Sequence, residues 1–390
     1  MMEQAVEDKE KQALTIVRGL VIPEYTINYQ PTYSDQDALI SAVSELLETT
    51  PATTPEQIVS FRDELAHIGL ANGHSRLDIV GSCHEEVKLR VPEMDIKELV
   101  DPIIIEHGVV LESDPDALHA QRTAGQSVKP RSNEFEELSD GERILSFFGE
   151  GVNGSGYTQR NPDPSRMVSM ALQARDITET VQESLGEHIP IAHEMLLLAY
   201  EDAFVRIDEN TGKKYLLSAD LPWIGVRTND PDGPHVELLS KVDNAVSVKI
   251  GPNSDATHIK RLAEKLNPND ELGKLVFMLR IGDDVIKTLE ILEAIQLYAP
   301  TALILFDIHA VTKPNKDGIK LRCVQDVISQ ARLLHKLCRG VGLTFHGHHL
   351  ETTTEDRYEC VDTPDELPKH PGKVDPRLNS RQLRHVLTEV

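Results

Sequence analysis

Short apolar runs that end on a polar or charged side chain recur through most of the chain. Clear examples are Ala245-Val-Ser-Val-Lys249, Leu275-Val-Phe-Met-Leu-Arg280 and Ala302-Leu-Ile-Leu-Phe-Asp307. Continuous apolar runs of this length are typical of parallel strands buried on both faces. The segments between them, such as 257–266 and 284–298, have the residue spacing of amphipathic helices. The pattern therefore predicts alternating strands and helices around a parallel sheet.

Eight such strands can be placed along the chain. Their ends are predicted at Cys83, Arg122, Glu194, Arg227, Lys249, Arg280, His309 and Glu351. This alternation predicts an α/β fold of the (β/α)8 TIM-barrel class, whose active site lies at the carboxyl ends of the strands. Residues 1–70 are charged and mostly helical in pattern, and we assign them to a short N-terminal helical extension. Residues 71–390 are then the barrel catalytic domain.

The composition adds limits on partners and compartment. The 390 residues are 39% hydrophobic, which is enough for a large core, and 40 Lys and Arg against 64 Asp and Glu give a net charge of -24. This charge repels nucleic acid and anionic membranes, so we expect small-molecule partners and neither of those surfaces. The four cysteines show no CxxC spacing, and no N-terminal apolar segment resembles a signal peptide. These features predict free thiols and a cytoplasmic protein.

Carboxylates and imidazoles gather near the end of the chain. The segment Phe345-His-Gly-His-His-Leu-Glu351 is followed by Asp375-Pro-Arg-Leu-Asn379. Such nitrogen and oxygen donors bind divalent cations. A surface loop rich in His and Glu has the same composition, and spacing alone does not separate the two interpretations. Cys83, after the predicted strand Arg76–Ser82, is equally open to two interpretations, as a small core residue or as a ligand.

A basic segment stands out in this acidic chain. Arg122, Lys129 and Arg131 fall within ten residues and flank Gly125, where the backbone could approach a ligand. The segment is either an anion-binding loop or a solvated basic loop.

Several motifs resemble those of one enzyme family. Gly347-x-His349-x-Glu351-Thr-Thr, Glu359-Cys-Val361 and Asp375-Pro-Arg-Leu-Asn379 are similar, in order and spacing, to the closing motifs of class II 3-deoxy-D-arabino-heptulosonate 7-phosphate (DAHP) synthases. The short type found in phenazine and other secondary-metabolite clusters is resembled most. The resemblance implies a transferase that condenses phosphoenolpyruvate with erythrose 4-phosphate in a metal-dependent, aldol-type reaction at the entry to the shikimate pathway, here for secondary metabolism.

The resemblance also implies roles for individual residues. A divalent metal, Mn²⁺ first and Co²⁺ or Zn²⁺ as alternatives, is expected on Cys83, His309, Glu351 and Asp375. Binding of phosphoenolpyruvate and the aldose phosphate is expected from Arg122, Lys129, Arg131, Ser132, Trp223, Gly225, Arg227, Lys249, Arg280 and Asp307. The residues expected to be catalytic are Lys249, Arg280, Glu194 and His349. A homodimer is the expected assembly.

The chain departs from the family pattern at three points. Ser82 and His84 flank Cys83 where the family has Asp and Ala. Val226 replaces the Glu of the family's Trp-Ile-Gly-Glu-Arg-Thr motif, and one residue fewer separates Asp307 from His309. The last two changes affect the substrate pocket and leave the ligands in place, so the same reaction on a different or amino-substituted aldose phosphate is the alternative. A hypothesis of another class is a non-catalytic barrel that serves as a binding partner.

Overall fold

The computed structural model describes most of the chain. Its described residues are 30–70, 73–82, 96–122, 127–131, 133–138, 141–315, 319–363, 366–370 and 375–390. Cys83 and Ser132 lie outside these ranges.

Eight parallel strands within the described residues form the barrel. They are β1 Leu77–Gly81, β2 Leu118–Gln121, β3 Ala192–Glu194, β4 Leu221–Ile224, β5 Val246–Ile250, β6 Leu275–Leu279, β7 Leu303–Asp307 and β8 Gly347–Thr353. They are hydrogen-bonded in the order β2-β1-β8-β7-β6-β5-β4-β3. A parallel bridge between Gln121 and Ile191 joins the two ends of this series. The predicted (β/α)8 barrel is therefore confirmed.

Helices occupy most connections between the strands. They are α1 Gln36–Glu48, α2 Pro55–Ala66, α3 Lys97–Ser113, α4 Ser165–Leu185, α5 Leu198–Ala203, α6 Pro234–Leu239, α7 Ala256–Leu266, α8 Val285–Tyr298, α9 Val324–Gly340 and α10 Ser380–Glu389. Short antiparallel pairs add to the connections, among them Lys313–Pro314 with Lys320–Leu321. In the described part of the chain, no helix combines the length and the apolar character needed to cross a membrane.

The two faces of each strand contact different neighbours. Ile79, Trp223 and Met278 belong to one buried cluster of the barrel interior, whereas Val80 and Phe277 pack with residues of the surrounding helices. Side chains alternate between the two faces of a strand, so both faces of a barrel strand must be apolar. This double burial explains the continuous apolar runs of the sequence.

Helix α2 contributes to the barrel interior. It starts at a capping box formed by Thr54 and Gln57, with Pro55 in the first turn. Phe61 and Leu65 of this helix belong to the same buried cluster as Leu77 and Leu118, the first residues of β1 and β2. The helix therefore covers the amino-terminal end of the barrel and leaves the carboxyl end for a site. The domain boundary at residue 70 stays a prediction.

The observed strands end slightly before some of the predicted positions. β1 ends at Gly81 and β4 ends at Ile224, three residues before Arg227. At the second position the chain leaves the sheet in a turn that begins after Gly225. Cys323, Cys338 and Cys360 are buried and form no disulfide, as the sequence predicts.

Candidate metal and substrate site

Three potential metal ligands converge at the carboxyl end of the barrel. His309 lies in a short 3-10 helix after β7, Glu351 lies in β8, and Asp375 lies shortly before α10. His309 Nε2 is 2.9 Å from Glu351 Oε1 and 3.6 Å from Asp375 Oδ2. These donor atoms lie within 4.8 Å of one another. The structure therefore brings together three of the four residues predicted as ligands, and the fourth, Cys83, is outside the described residues.

The carboxylate of Asp307 binds the His309 ring at Nδ1, the nitrogen that does not face Glu351. Its Oδ1 accepts hydrogen bonds from the His309 backbone N–H at 3.0 Å and from His309 Nδ1 at 2.6 Å. Burial alone would raise the pKa of Asp307, but Lys249, His309 and His349 around it hold that pKa well below its usual value. An ionised carboxylate on Nδ1 places the ring proton there and leaves the Nε2 lone pair for a metal.

The chemistry and spacing of the donors fit a divalent ion. Imidazole nitrogen and carboxylate oxygen suit Mn²⁺, Co²⁺ and Zn²⁺. Ligands bonded to one such ion at about 2.1 Å lie roughly 3 Å apart, close to the separations around His309 Nε2. Asp307, His309 and His349 form a second possible group of ligands. In that group Asp307 Oδ1 already accepts both ring N–H groups, so the group containing Glu351 and Asp375 fits better.

A buried arginine that the sequence analysis did not select contacts Glu351. Both terminal nitrogens of Arg322 lie 3.0 Å from Glu351 Oε2. Burial alone would raise the pKa of Glu351, but His309, Arg322 and Arg122 hold it well below the usual value. Glu351 is therefore a carboxylate at neutral pH, with Oε1 directed at His309. Arg322 lies in the connection between β7 and α9, outside the motifs quoted above, and only the fold shows its contact with Glu351.

Two buried cations flank the indole ring of Trp223. Arg122 Cζ lies 5.4 Å and Lys249 Nζ lies 5.2 Å from the centroid of that ring. Lys249 Nζ is also 3.4 Å from Asp307 Oδ2, and Arg122 Nη1 is 3.5 Å from Glu351 Oε1. The barrel interior therefore carries positive charge next to the ligand group, as binding of a substrate with phosphate and carboxylate groups requires.

His349 is held in a neutral state inside the barrel. Burial, together with the nearby cations Lys249 and Arg122, holds the pKa of His349 well below its usual value. Its Nδ1 is 3.1 Å from Asp307 Oδ1. Its Nε2 is buried and has no hydrogen-bond partner among the described atoms. The ring therefore donates to Asp307 and keeps an unused acceptor in the interior.

The carboxylate of Glu194 is close to the backbone at Gly225. A Cβ atom at position 225 would lie 2.1 Å from Glu194 Oε1, so the space is occupied by this carboxylate. Glu194 is half-buried, and its carboxylate makes no hydrogen bond or ion pair with another described residue. Gly225 thus contributes by making room for Glu194.

The other predicted substrate-binding residues differ in exposure. Lys129 and Arg131 are half-buried, whereas Arg227 and Arg280 are exposed at the ends of their strands. Burial lowers the pKa of the Arg131 guanidinium, and Arg160 and Arg227 lower it further while Glu136 opposes them. Arg131 and Arg227 are therefore near enough for their positive charges to repel each other. Their contacts with substrate stay predictions.

A second residue missed in the sequence is Lys320, whose exposed ammonium group forms an ion pair with Asp375. Lys320 lies in the short strand beyond His309, two residues before Arg322. It lies in the same polar connection as Arg322, where a lysine has no distinctive spacing, and only the fold shows its proximity to a predicted ligand.

Glu106 lies in α3, next to β8, and has an unusual environment for a carboxyl group. The Thr352 hydroxyl donates a 2.5 Å hydrogen bond to Glu106 Oε1. Burial raises the pKa of Glu106 from 4.5 to about 7, and Thr352, Arg122 and Arg377 offset only part of that rise. The folded chain therefore binds this proton more tightly than the unfolded chain does. The resulting stabilisation is present below pH 4.5 and is lost as the pH rises through about 7.

We expect Glu106→Gln to stabilise the protein in alkaline solution. The amide accepts the Thr352 hydrogen bond and has no ionised form. The free energy of unfolding of the variant should therefore exceed that of the native protein by up to about 3 kcal/mol at alkaline pH, and the two should differ little in mild acid. Urea unfolding of both proteins on either side of pH 7 measures this difference. Glu112→Gln, at an exposed position of the same helix, is the control. If Glu106→Gln changed the free energy of unfolding by the same amount at every pH, the raised pKa of Glu106 would be refuted.

Comparisons with known proteins agree with this geometry. The family model for the class II DAHP synthetase family matches residues 21–186 and 172–389. A Streptomyces coelicolor protein named phospho-2-dehydro-3-deoxyheptonate aldolase is 28% identical, with 90% of this chain and 92% of the relative covered. A Neurospora crassa protein of the same name is 27% identical, with 90% and 89% covered.

A third relative, from Pseudomonas fluorescens, is named "Probable phospho-2-dehydro-3-deoxyheptonate aldolase". It is 30% identical to this chain, and the match covers 90% of the chain and 92% of the relative. The family model also spans nearly the whole barrel. The chain belongs to the class II DAHP synthetase family.

Proposed function

We propose that the chain is a transferase of the 3-deoxy-7-phosphoheptulonate synthase type, which condenses phosphoenolpyruvate with erythrose 4-phosphate and releases phosphate. The single observation that best supports this function is the convergence of His309, Glu351 and Asp375 beside the buried cations Arg122 and Lys249. The convergence is at the carboxyl end of the barrel, where enzymes of this fold carry out their chemistry. It combines ligands for a Lewis acid with charge partners for two anionic substrates.

We assign the divalent metal to His309, Glu351, Asp375 and Cys83, with Mn²⁺ as the first choice and Co²⁺ or Zn²⁺ as alternatives. When bound, such an ion supplies Lewis-acid polarisation of the acceptor's aldehyde oxygen. Asp307 keeps the His309 ring in the required tautomer, and this positioning role adds to the substrate contact predicted for Asp307. Glu351 stays ionised because Arg322, Arg122 and His309 surround it.

The remaining residues are assigned either to the charged groups of the two substrates or to the reacting water. Phosphoenolpyruvate C3 forms a bond to the aldehyde carbon, water adds at C2, and phosphate leaves. Lys249 and Arg280 are assigned to the charged groups of phosphoenolpyruvate, with Arg122, Lys129 and Arg227 sharing the phosphate and Arg131 and Ser132 binding the sugar phosphate. Oriented cations of this kind stabilise the charge that moves to phosphate as the bond breaks. Glu194 and His349 are the interior acceptors available to orient or deprotonate water.

Phosphate release from phosphoenolpyruvate tests the function directly. The assay uses the whole chain with a panel of aldose phosphates, first after chelator treatment and then with Mn²⁺, Co²⁺ or Zn²⁺ added back. We expect aldose-dependent release that is lost with the chelator and restored by one of the ions. Phosphate release that never depends on an aldose phosphate refutes the condensation. A chain with no stoichiometric metal and no turnover supports the non-catalytic scaffold instead.

One observation favours a second candidate, in which the acceptor is a different or amino-substituted aldose phosphate. Val226, where the family has Glu, packs against the turn after β5. A Cβ atom at Gly251 would lie 2.9 Å from Val226 Cγ1. An apolar side chain at this position removes a hydrogen-bond acceptor from the site. A site whose buried polar groups form hydrogen bonds with one substrate discriminates strongly against a substrate that leaves one of those groups without a partner. A change in the polar groups of the site should therefore change which acceptor is preferred.

We expect Val226→Glu to move acceptor preference towards erythrose 4-phosphate. Restoring a carboxylate should change the ratio of kcat/KM values between acceptors by about 10-fold to 100-fold, which corresponds to about 1 to 3 kcal/mol. The measurement is kcat/KM for each aldose phosphate in the native protein and the variant. Val226→Met, which lengthens the side chain without restoring an oxygen acceptor, is the control and should leave the acceptor preference unchanged. If native protein already uses erythrose 4-phosphate at about 10⁴ M⁻¹s⁻¹ or above and no other acceptor competes, the second candidate is wrong.

The biological setting of the reaction also stays a proposal. We place the chain with the short, phenazine-type synthases that serve secondary metabolism, and we expect a cytoplasmic homodimer. Expression of the gene product alone, followed by measurement of its mass in solution, tests the dimer.

A further inference from the structure

Arg322 has contacts with all three segments that carry the described candidate ligands. Its Nε donates to Thr312 Oγ1 at 2.9 Å, three residues after His309. Both terminal nitrogens face Glu351 Oε2 at 3.0 Å, and Nη1 also donates to the carbonyl oxygen of Pro376, the neighbour of Asp375. The side chain is completely buried, at 0% exposure. One guanidinium group therefore connects the His309, Glu351 and Asp375 segments.

The contact with Glu351 determines which of its oxygens is available to a metal. Oε2 receives both Arg322 nitrogens, whereas Oε1 lies 2.9 Å from His309 Nε2. Rotation of the carboxylate would break two charge-assisted hydrogen bonds, which are among the stronger ones in proteins. The Oε1 atom is therefore held in the direction of His309 and Asp375 before an ion arrives.

Two opposing effects decide whether Arg322 helps metal binding. Its positive charge repels a cation, but its hydrogen bonds hold one ligand and join the segments that carry the other two. The positive charge of Arg322 repels the cation by a similar amount whatever the orientation of Glu351. A misplaced Glu351 carboxylate, in contrast, loses its bond to the ion. Removing the hydrogen-bond partners of metal ligands typically weakens metal binding 10-fold to 100-fold. The balance thus favours a positioning role.

We propose that Arg322 is a positioning residue that prepares the site for a divalent cation by fixing Glu351 and connecting the three ligand segments. The inference rests on the metal site of the proposed function. The connection brings together Thr312, Glu351 and Pro376, which lie far apart along the chain, so the site becomes ordered only when the barrel is closed.

Calorimetric titration of metal-free protein with Mn²⁺ tests this role without any assay of turnover. Arg322→Gln removes the charge and most of the contacts, and Arg322→Lys keeps the charge but cannot contact all three segments. We expect both to bind Mn²⁺ about 10-fold to 100-fold more weakly than the native protein. Thr312→Val removes the acceptor of Arg322 Nε alone, and we expect it to weaken binding about threefold or more. This mild variant keeps the test valid if Arg322→Gln fails to fold.

Arg62→Gln is the matched control, because Arg62 forms ion pairs with Asp243 and Glu271 next to the covered end of the barrel. It should lose stability and keep the native affinity for Mn²⁺. Folded Arg322 and Thr312 variants with native affinity would overturn the positioning role and leave the metal site itself intact. Absence of Mn²⁺, Co²⁺ and Zn²⁺ binding in the native protein would instead refute the metal site of the proposed function, and with it this inference.

Discussion

Asp375→Asn is expected to lower metal-dependent kcat/KM about a thousandfold or more, with loss of stoichiometric metal. Asp375 Oδ2 lies 3.6 Å from His309 Nε2, and Lys320 forms an ion pair with the same carboxylate. An amide oxygen is a poorer ligand for a divalent ion and cannot neutralise its charge, so Lewis-acid assistance worth several kcal/mol is lost. The measurements are metal content after dialysis and initial rates of phosphate release over a range of substrate concentrations, which give kcat/KM.

The Asp375 variant should keep the native fold, because asparagine has the same size and the position is only half-buried. Asp356→Asn, at an exposed position shortly after β8, is the control and should behave as the native protein does. Cys83→Ser applies the same test to the ligand that lies outside the described residues. Full activity in Asp375→Asn or Cys83→Ser would remove that residue from the ligand set.

Lys249→Ala is expected to raise the KM for phosphoenolpyruvate about 10-fold to 100-fold while changing the KM for the aldose phosphate less than about threefold. Lys249 is buried, with Nζ 3.4 Å from Asp307 Oδ2 and 5.2 Å from the centroid of the Trp223 ring. A cation in such a water-poor position interacts strongly with a bound anion. Initial-rate kinetics with each substrate varied in turn provide both constants.

The structure refines this test through a difference in burial. Arg280 is exposed, so Arg280→Ala should raise the same KM less than Lys249→Ala does. Lys274 is the control: it is a second buried lysine, but it precedes β6 and donates to the carbonyl oxygens of Val242 and Asn244. Lys274→Met should reduce stability and leave both KM values unchanged. If Lys249→Ala raised the KM values of both substrates equally, the assignment of Lys249 to phosphoenolpyruvate would be wrong.

The place where the candidate ligands converge could be anticipated from the sequence pattern. The apolar runs ending near Lys249 and Asp307 are barrel strands, and the predicted residues Glu351 and His309 do meet at their carboxyl ends. This part was predictable because a strand buried on both faces requires a continuous apolar run, and a parallel barrel brings all carboxyl ends to one side. The contrast between buried Lys249 and exposed Arg280 was not predictable, since both follow the same pattern.

The barrel class and the residue types at the carboxyl ends of its strands could be inferred from the sequence alone. The pairing of their side chains could not, because it depends on the packing of distant elements. Arg322 meets Glu351 and Pro376, and the Glu106 carboxyl meets Thr352 across 246 positions of sequence. Periodicity records which face of an element is buried, but a pairwise contact depends on how distant elements pack. The orientation of the Glu351 carboxylate and the raised pKa of Glu106 therefore arise only when the barrel closes around them.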